Sequence, residues 1–216
     1  MHNRVCILSR NEKGAIGIGA MIVFIAMVLV AGIAASVLVQ TSGKLELQAM
    51  KSGQETISEV GTGIRVTKII GHNNLGNFNL LGIEIKSLSG SQEIDLSSTV
   101  ILISNSTIKS LLTYNSSFFT DTPDINGDLF QSDDYPSDSE TFGIIILKDS
   151  DGSCTPNNPV MNSGDHILIA INVTAVFGGL DNSIDVFGRI QPEFGSSGVI
   201  IFRTPAALNK EVIDLQ

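Results

Sequence analysis

Residues 15–39, AIGIGAMIVFIAMVLVAGIAASVLV, carry no charged side chain, and only Ser36 among them is distinctly polar. At about 1.5 Å per residue a helix over this stretch runs roughly 37 Å, enough to cross a bilayer core of about 30 Å. Fifteen of its side chains are large and apolar: Ile16, Ile18, Met21 to Ile25, Met27 to Val30, Ile33 and Val37 to Val39. Burying each is worth roughly 1.5–3 kcal/mol, so leaving them all in water costs on the order of 20 kcal/mol or more. That exceeds the whole stability of an ordinary domain. The helix needs lipid or other apolar surface around it at every stage.

The flanks orient it. Arg4, Arg10 and Lys13 come before the apolar run, while Lys44 and Glu46 follow and cancel. The positive-inside tendency places the N-terminus in the cytoplasm and the remainder outside. The run is too long for an ordinary secretory signal, whose small-residue cleavage site also follows its apolar region. Here the small-residue junction Lys13-Gly14-Ala15 stands in front. A cut there removes the charges and keeps the greasy helix, which is sensible only if the helix has a later use.

Small residues punctuate the segment, and Ala31/Ala35 and Gly32/Ser36 lie four apart on shared faces. Such pairs let neighbouring helix backbones approach closely. A plain single-pass anchor tolerates the same composition, and composition alone leaves both readings open. Gly14, Gly17 and Gly19 do not make a nucleotide loop, because no strand precedes them and the spacing fails. Past Gln40, Met50, Ile57, Val60 and Ile64 continue one helical stripe. Gly43 and Gly53 weaken that helix, and Gly61 and Gly63 are its stop signals.

The 216 residues suit one globular domain plus an extra element. The formal charge is −9, from 13 basic and 22 acidic residues. An acidic body without a basic cluster argues against nucleic acid as a partner and fits a surface kept soluble by self-repulsion. The two cysteines, Cys6 and Cys154, offer no disulfide framework, since one lies in the basic leader. Cys154 reads as a loop cysteine rather than an exposed cross-linking thiol.

From Ile64 onward the apolar pattern shifts to period two. Strand-like runs cover 64–70, 77–81, 94–104, 108–114, 141–148, 184–190 and 198–203. Ile83 and Ile85 alternate with Glu84 and Lys86; Ile167, Ile169, Ile171, Val173 and Ala175 alternate with Leu168, Ala170, Asn172 and Thr174. Asn, Gly, Asp and Pro clusters separate these runs, which points to an antiparallel sandwich. Pro205 breaks the last strand, and Val212, Ile213 and Leu215 can cover a sheet edge.

Lys13-Gly14-Ala15-Ile16-Gly17-Ile18-Gly19, running into Met21 to Ala31, resembles the start of an archaeal flagellin (archaellin). The likeness continues through Val37 to Gly43 and Ser58-Glu59-Val60 to Gly63-Ile64, with a looser match from Arg203 to Leu215. It implies an α+β chain of three parts. Residues 1–14 are a leader, residues 15–62 a long apolar α-helix, and residues 63–216 an extracellular, immunoglobulin-like antiparallel β-sandwich. The resemblance implies that a prepilin-type aspartic peptidase reads Lys13 and Gly14 and cuts before Ala15. The precursor sits in the membrane, and an assembly ATPase and a platform membrane protein drive polymerisation. On the same resemblance, Gly17, Gly19, Phe24, Ala31, Gly32, Ala35 and Ser36 are expected to pack helix against helix in a filament, between copies of this chain or with archaellins. The product implied by the resemblance is the rotating filament used for swimming. Type IV pilins share the leader logic but carry Glu at the fifth mature residue, which here is Gly19. An adhesive archaeal pilin is the nearest alternative, and a receptor-like anchored domain a more distant one.

Asn105-Ser106-Thr107, Asn115-Ser116-Ser117 and Asn172-Val173-Thr174 fit the Asn-x-Ser/Thr acceptor pattern. In an exported domain resembling archaellins, at least one is expected to carry a glycan, and Asn172 is expected to face solvent from its strand. The loop from Asp121 to Glu140 is rich in acids and has no Lys or Arg. Its Asp124, Asn126 and Asp128 are candidate calcium ligands. Gly127 comes two positions early for a calcium loop and Tyr135 stands where the final Glu belongs, so a solvated loop is the plainer reading. His2, His72 and His166 are isolated in sequence, and no nucleophile elbow, phosphate loop or zinc spacing occurs. No catalytic residue is expected and no cofactor is required.

Overall fold

The structure, a computed structural model, describes residues 12–74, 76–121, 129–130, 132–207 and 210–216. The first element, α1, is a single α-helix over Glu12–Gly61. It passes through Gly43 and Gly53 without a break and contains no proline, the residue that most disrupts a helix interior. The chain divides into two compact units, Met1–Gln54 and Glu55–Gln216. The last two turns of α1 thus belong to the globular unit, where Ser58 Oγ donates to Gln92 Oε1 at 2.8 Å. The helix ends at Gly61, and Ile64, counted above in the helical stripe, is instead the buried first residue of a strand.

Twelve strands follow: β1 (Ile64–Asn74), β2 (Asn77–Ser87), β3 (Ile94–Asp95), β4 (Val100–Ser104), β5 (Lys109–Thr120), β6 (Thr141–Lys148), β7 (Cys154–Thr155), β8 (Asn158–Met161), β9 (His166–Asn172), β10 (Asp185–Gln191), β11 (Gly198–Arg203) and β12 (Val212–Asp214). Nine of them form one sheet in the order β11-β10-β4-β5-β6-β9-β2-β1-β12, and β3-β8-β7 form a small second one. The large sheet curls on itself: a side chain built at Gly198 in β11 would lie 3.2 Å from Ile64 in β1. Ile83, Ile85, Ile101, Ile103, Phe142, Ile144, Ile167, Ile169 and Ile200 fill the inside. Ile94, Leu96, Cys154 and Met161 from the small sheet and its flanks join the same core.

Four sequence expectations change. The run 94–104 is not one strand, because Asp95 Oδ1 accepts the Ser97 N–H at 2.7 Å and turns the chain between β3 and β4. The sheet is not wholly antiparallel: β5 and β6 pair in parallel. Antiparallel strands can be joined by a tight hairpin, but a parallel pair needs a long crossover, which the 121–140 connection supplies. The strand expected to run on to Ala175 stops at Asn172, where α2 (Val173–Phe177) begins. Asn172 caps that helix, its side chain accepting the Ala175 N–H at 3.1 Å. Asn172 is accordingly half-buried rather than facing solvent from a strand. Finally, β9 is buried on both faces. Leu168 and Ala170, opposite the main core, pack with Ile70, Leu80, Ile145, Phe130 and Tyr135. The last two belong to the acidic connection, and their rings stack at 6.0 Å.

The outer edge of β1 is covered at both ends. On its outer edge β12 pairs with Ile70 to His72, Ile69 and Leu215 bond through N–H and carbonyl at 2.8 Å, and Ser196 covers the start. An open edge is a template for unwanted strand pairing, and the C-terminal Val212-Ile213-Asp214 closes this one.

Candidate functional site: an uncovered apolar helix

All fifteen large apolar side chains of residues 15–39 are 53–73 % exposed. A helix that is greasy all round is stable only inside something else. The described residues of this chain bury none of its most apolar window. Among these residues, Val23, Ala26, Met27, Val30, Ala31 and Ala34 recur at helical spacing and form one shallow apolar groove, with alanines for its floor. A side chain built at Gly17, Gly19 or Gly32 would meet nothing within 4 Å. The chain's own packing therefore does not require glycine at these positions. Phe24 is 69 % exposed, and Ala31, Ala35 and Ser36 are also exposed. Lys13, Gly14 and Ala15 fall in the first turn of α1, with Gly14 exposed.

The three Asn-x-Ser/Thr sites lie on the globular unit at breaks in regular pairing. Asn105 starts the β4–β5 turn, its Oδ1 accepting the N–H groups of Thr107 at 3.2 Å and Ile108 at 2.8 Å, with Ser106 at φ 72°. Asn115 sits where the β5–β6 register shifts, and its Oδ1 accepts the Ser117 N–H at 3.0 Å. Asn172 is the α2 cap. All three are half-buried, with each amide oxygen engaged by the local backbone.

Asp124, Asn126 and Asp128 lie outside the described residues. A different set of acids meets instead. Asp149, Asp151 and Asp165 each bring a carboxylate oxygen within 4.8 Å of the others. They close the 149–153 loop on itself: Asp149 accepts from the N–H groups of Gly152 at 2.8 Å and Cys154 at 3.1 Å. Buried Asp165 accepts from Ser150 N and Asn162 N at 3.3 and 2.9 Å. Hydrogen bonds from Ser153 and Asn162 hold the Asp151 carboxyl below the usual carboxylate range. Asp149-Ser150-Asp151-Gly152 is a legible turn signal, but Asp165 reaches it only because the β7–β8 hairpin brings the chain back.

Cys154, expected in a loop, is a buried β7 residue facing the core. Burial first, then the neighbouring charges of Asp149, Asp165 and Asp121, pushes its thiol up to about 12. Tyr114, whose hydroxyl donates to the Pro156 carbonyl at 2.9 Å, is likewise pushed up to about 12, mainly by burial. His72 bonds Asn79 Oδ1 through Nδ1 at 2.7 Å and approaches Glu211 at 3.5 Å through Nε2. His166 stands 3.4 Å from Glu84, which also pairs with Lys86. These histidines serve the sheet surface and converge on no common site.

The archaeal-type flagellin family profile matches residues 14–202. Flagellin B3 and flagellin B2 of Methanocaldococcus jannaschii are 41 % and 42 % identical over 96 % of this chain and 97 % of theirs. The crystal structure of archaeal flagellin FlaB1 from the same organism superimposes with a TM-score of 0.64 at 32 % identity, covering 72 % of this chain and 97 % of that one. The archaeal flagellum of Methanospirillum hungatei shares the fold, with a TM-score of 0.64 at 17 % identity over 91 % of this chain and 98 % of that one.

Proposed function

Since the chain belongs to the archaeal-type flagellin family, we infer that it is a structural subunit of the archaeal flagellum, with α1 as its polymerising element. The observation that carries this reading is the uncovered greasy helix. Fifteen large apolar side chains require a partner that the chain's own described residues do not supply. Identical helices from neighbouring copies supply it at no cost in new chemistry. Close backbone approach at Gly17, Gly19, Ala31, Gly32, Ala35 and Ser36, with Phe24 filling the space between, packs them. The family is one of filament proteins rather than enzymes, and we assign no catalytic residue. The adhesive-pilin alternative is not favoured, because the similar chains are flagellins over nearly their full length.

The route to the filament is part of the same proposal. The precursor spans the cytoplasmic membrane with its basic end inside. A prepilin-type aspartic peptidase cuts between Gly14 and Ala15, and an assembly ATPase with a platform membrane protein moves the mature helix from lipid into the filament. The globular unit then lies outside the cell, where Asn105, Asn115 and Asn172 are open to glycosylation.

Shearing filaments from cells and sequencing their protein tests the reading. This chain should be present and should begin at Ala15. Filaments lacking it, or a chain retained in the envelope with its leader intact, would overturn the proposal. Loss of swimming with attachment preserved, on deleting the gene, separates a flagellin from an adhesive pilin.

A further inference from the structure

On four neighbouring strands several outward positions are apolar where a solvated sheet carries polar side chains. In the register of β11, β10, β4 and β5, Val199 stands beside Arg189, Leu102 and Leu111. The next row sets Ile201 beside Phe187, Ser104 and Lys109. Phe187, Val199, Ile201 and Leu111 are 52–56 % exposed. Single exposed apolar residues are ordinary, but a contiguous patch with a polar rim marks a contact surface.

The rim identifies what fits. Residues 55–216 hold twenty acidic and eight basic residues, a formal −12. Three of those eight bases, Lys109, Arg189 and Arg203, project from this one face, against a single acid, Asp185, which pairs with Arg203 at 3.7 Å. The face is therefore positive on an otherwise strongly negative unit. The neighbour best matched to it is acidic, and in a filament of this chain the adjacent surface is another copy's.

We propose that the outer face of β11-β10-β4-β5 is a docking surface for the acidic surface of a second copy's globular unit. This inference rests on the filament reading above. Face-to-face self-pairing would set Arg189 and Lys109 of both copies against each other. The contact therefore joins unlike surfaces, the kind that propagates into open helical assemblies.

The test places a photo-crosslinking benzoyl-phenylalanine at Val199, and separately at Ile201, in the full chain, and irradiates filaments sheared from cells. The expected product is two chains covalently joined. Reversing the charge of this face with Arg189→Glu and Lys109→Glu should lower its yield several-fold, since each exposed ion pair is worth up to about five-fold. Filaments that form normally but give only single chains, or single chains joined to sugar from the nearby Asn105, would overturn the proposal. So would a yield indifferent to charge reversal. Absence of the chain from the filaments would overturn the filament reading and this contact together.

Discussion

The Ser196 N–H donates to the Thr62 carbonyl at 2.9 Å, and the Ser196 carbonyl accepts the Ile64 N–H at 3.0 Å. The β10–β11 connection thereby grips the chain where α1 gives way to β1. Gly195 makes that approach possible: its φ is +92°, and a Cβ there would collide with the Thr62 carbonyl. Gly195→Ala should destabilise the globular unit by about 1–3 kcal/mol, read as a lower melting temperature of the detergent-solubilised chain. An unchanged melt would show that the junction tolerates the side chain.

Two phenylalanines should respond oppositely. Phe142 is fully buried beside Tyr114, their ring centroids 6.0 Å apart. Phe142→Ala should cost about 3–5 kcal/mol in chemical denaturation of the chain. Phe24→Ala should leave that denaturation curve within about 0.5 kcal/mol, yet yield filaments that dissociate at lower temperature. Equal filament stability in the two proteins would remove Phe24 from the proposed packing.

Alkali should loosen the globular unit through Cys154 and Tyr114. Their ordinary pKa values of 9.0 and 10.0 rise to about 12 on folding. The folded state thus keeps protons that the unfolded state releases, so stability falls as pH rises. The contribution is whole below pH 9 and is lost between about 9 and 12. Denaturation midpoints across that window should decline, and Cys154→Ala should flatten the slope. A native thiol alkylated readily by iodoacetamide at pH 8 would contradict its burial.

Asp165 is buried and receives the Ser150 and Asn162 N–H groups. Asp165→Ala strands both donors and should cost about 1–3 kcal/mol. Amide hydrogen exchange should quicken across residues 149–162 while β9 stays protected. Uniform quickening throughout the sheet would mean that the loop is not a local unit.

At Asn172 the helix cap and the proposed glycan acceptor are one side chain, and Thr174 separates the two roles. Thr174→Ala destroys the acceptor pattern but retains the cap, so it should remove any glycan mass at this site with little change in melting temperature. Asn172→Ala should instead lower stability by about 1 kcal/mol. Identical intact masses before and after Thr174→Ala would exclude modification there.

The apolar helix was legible because its signal is contiguous: transfer energy and 3.6-residue spacing belong to neighbouring residues. Most strands were legible for the same reason, as with Ile83 and Ile85 or the unbroken run of β6. The misreadings arose where two structures share one local pattern. Val173 and Ala175 continue the alternation of β9, but the Asn172 side chain offers the backbone a helix start, and α2 takes them. Leu168 and Ala170 resemble the outward side of a strand until Phe130 and Tyr135 arrive from the acidic connection to cover them.

Sequence by itself determined that this protein has a greasy rod needing outside company, a basic end before it and a β-rich acidic body after it. Each follows from summed solvation and charge over adjacent residues. Only the tertiary structure decided that β5 pairs in parallel with β6, that Asp165 meets Asp149 and Asp151, and that Ser196 and β12 close the edge of β1. Those pairings join residues far apart in the chain. What selects them is the common requirement to satisfy buried backbone groups and cover apolar faces, which no local stretch of sequence expresses.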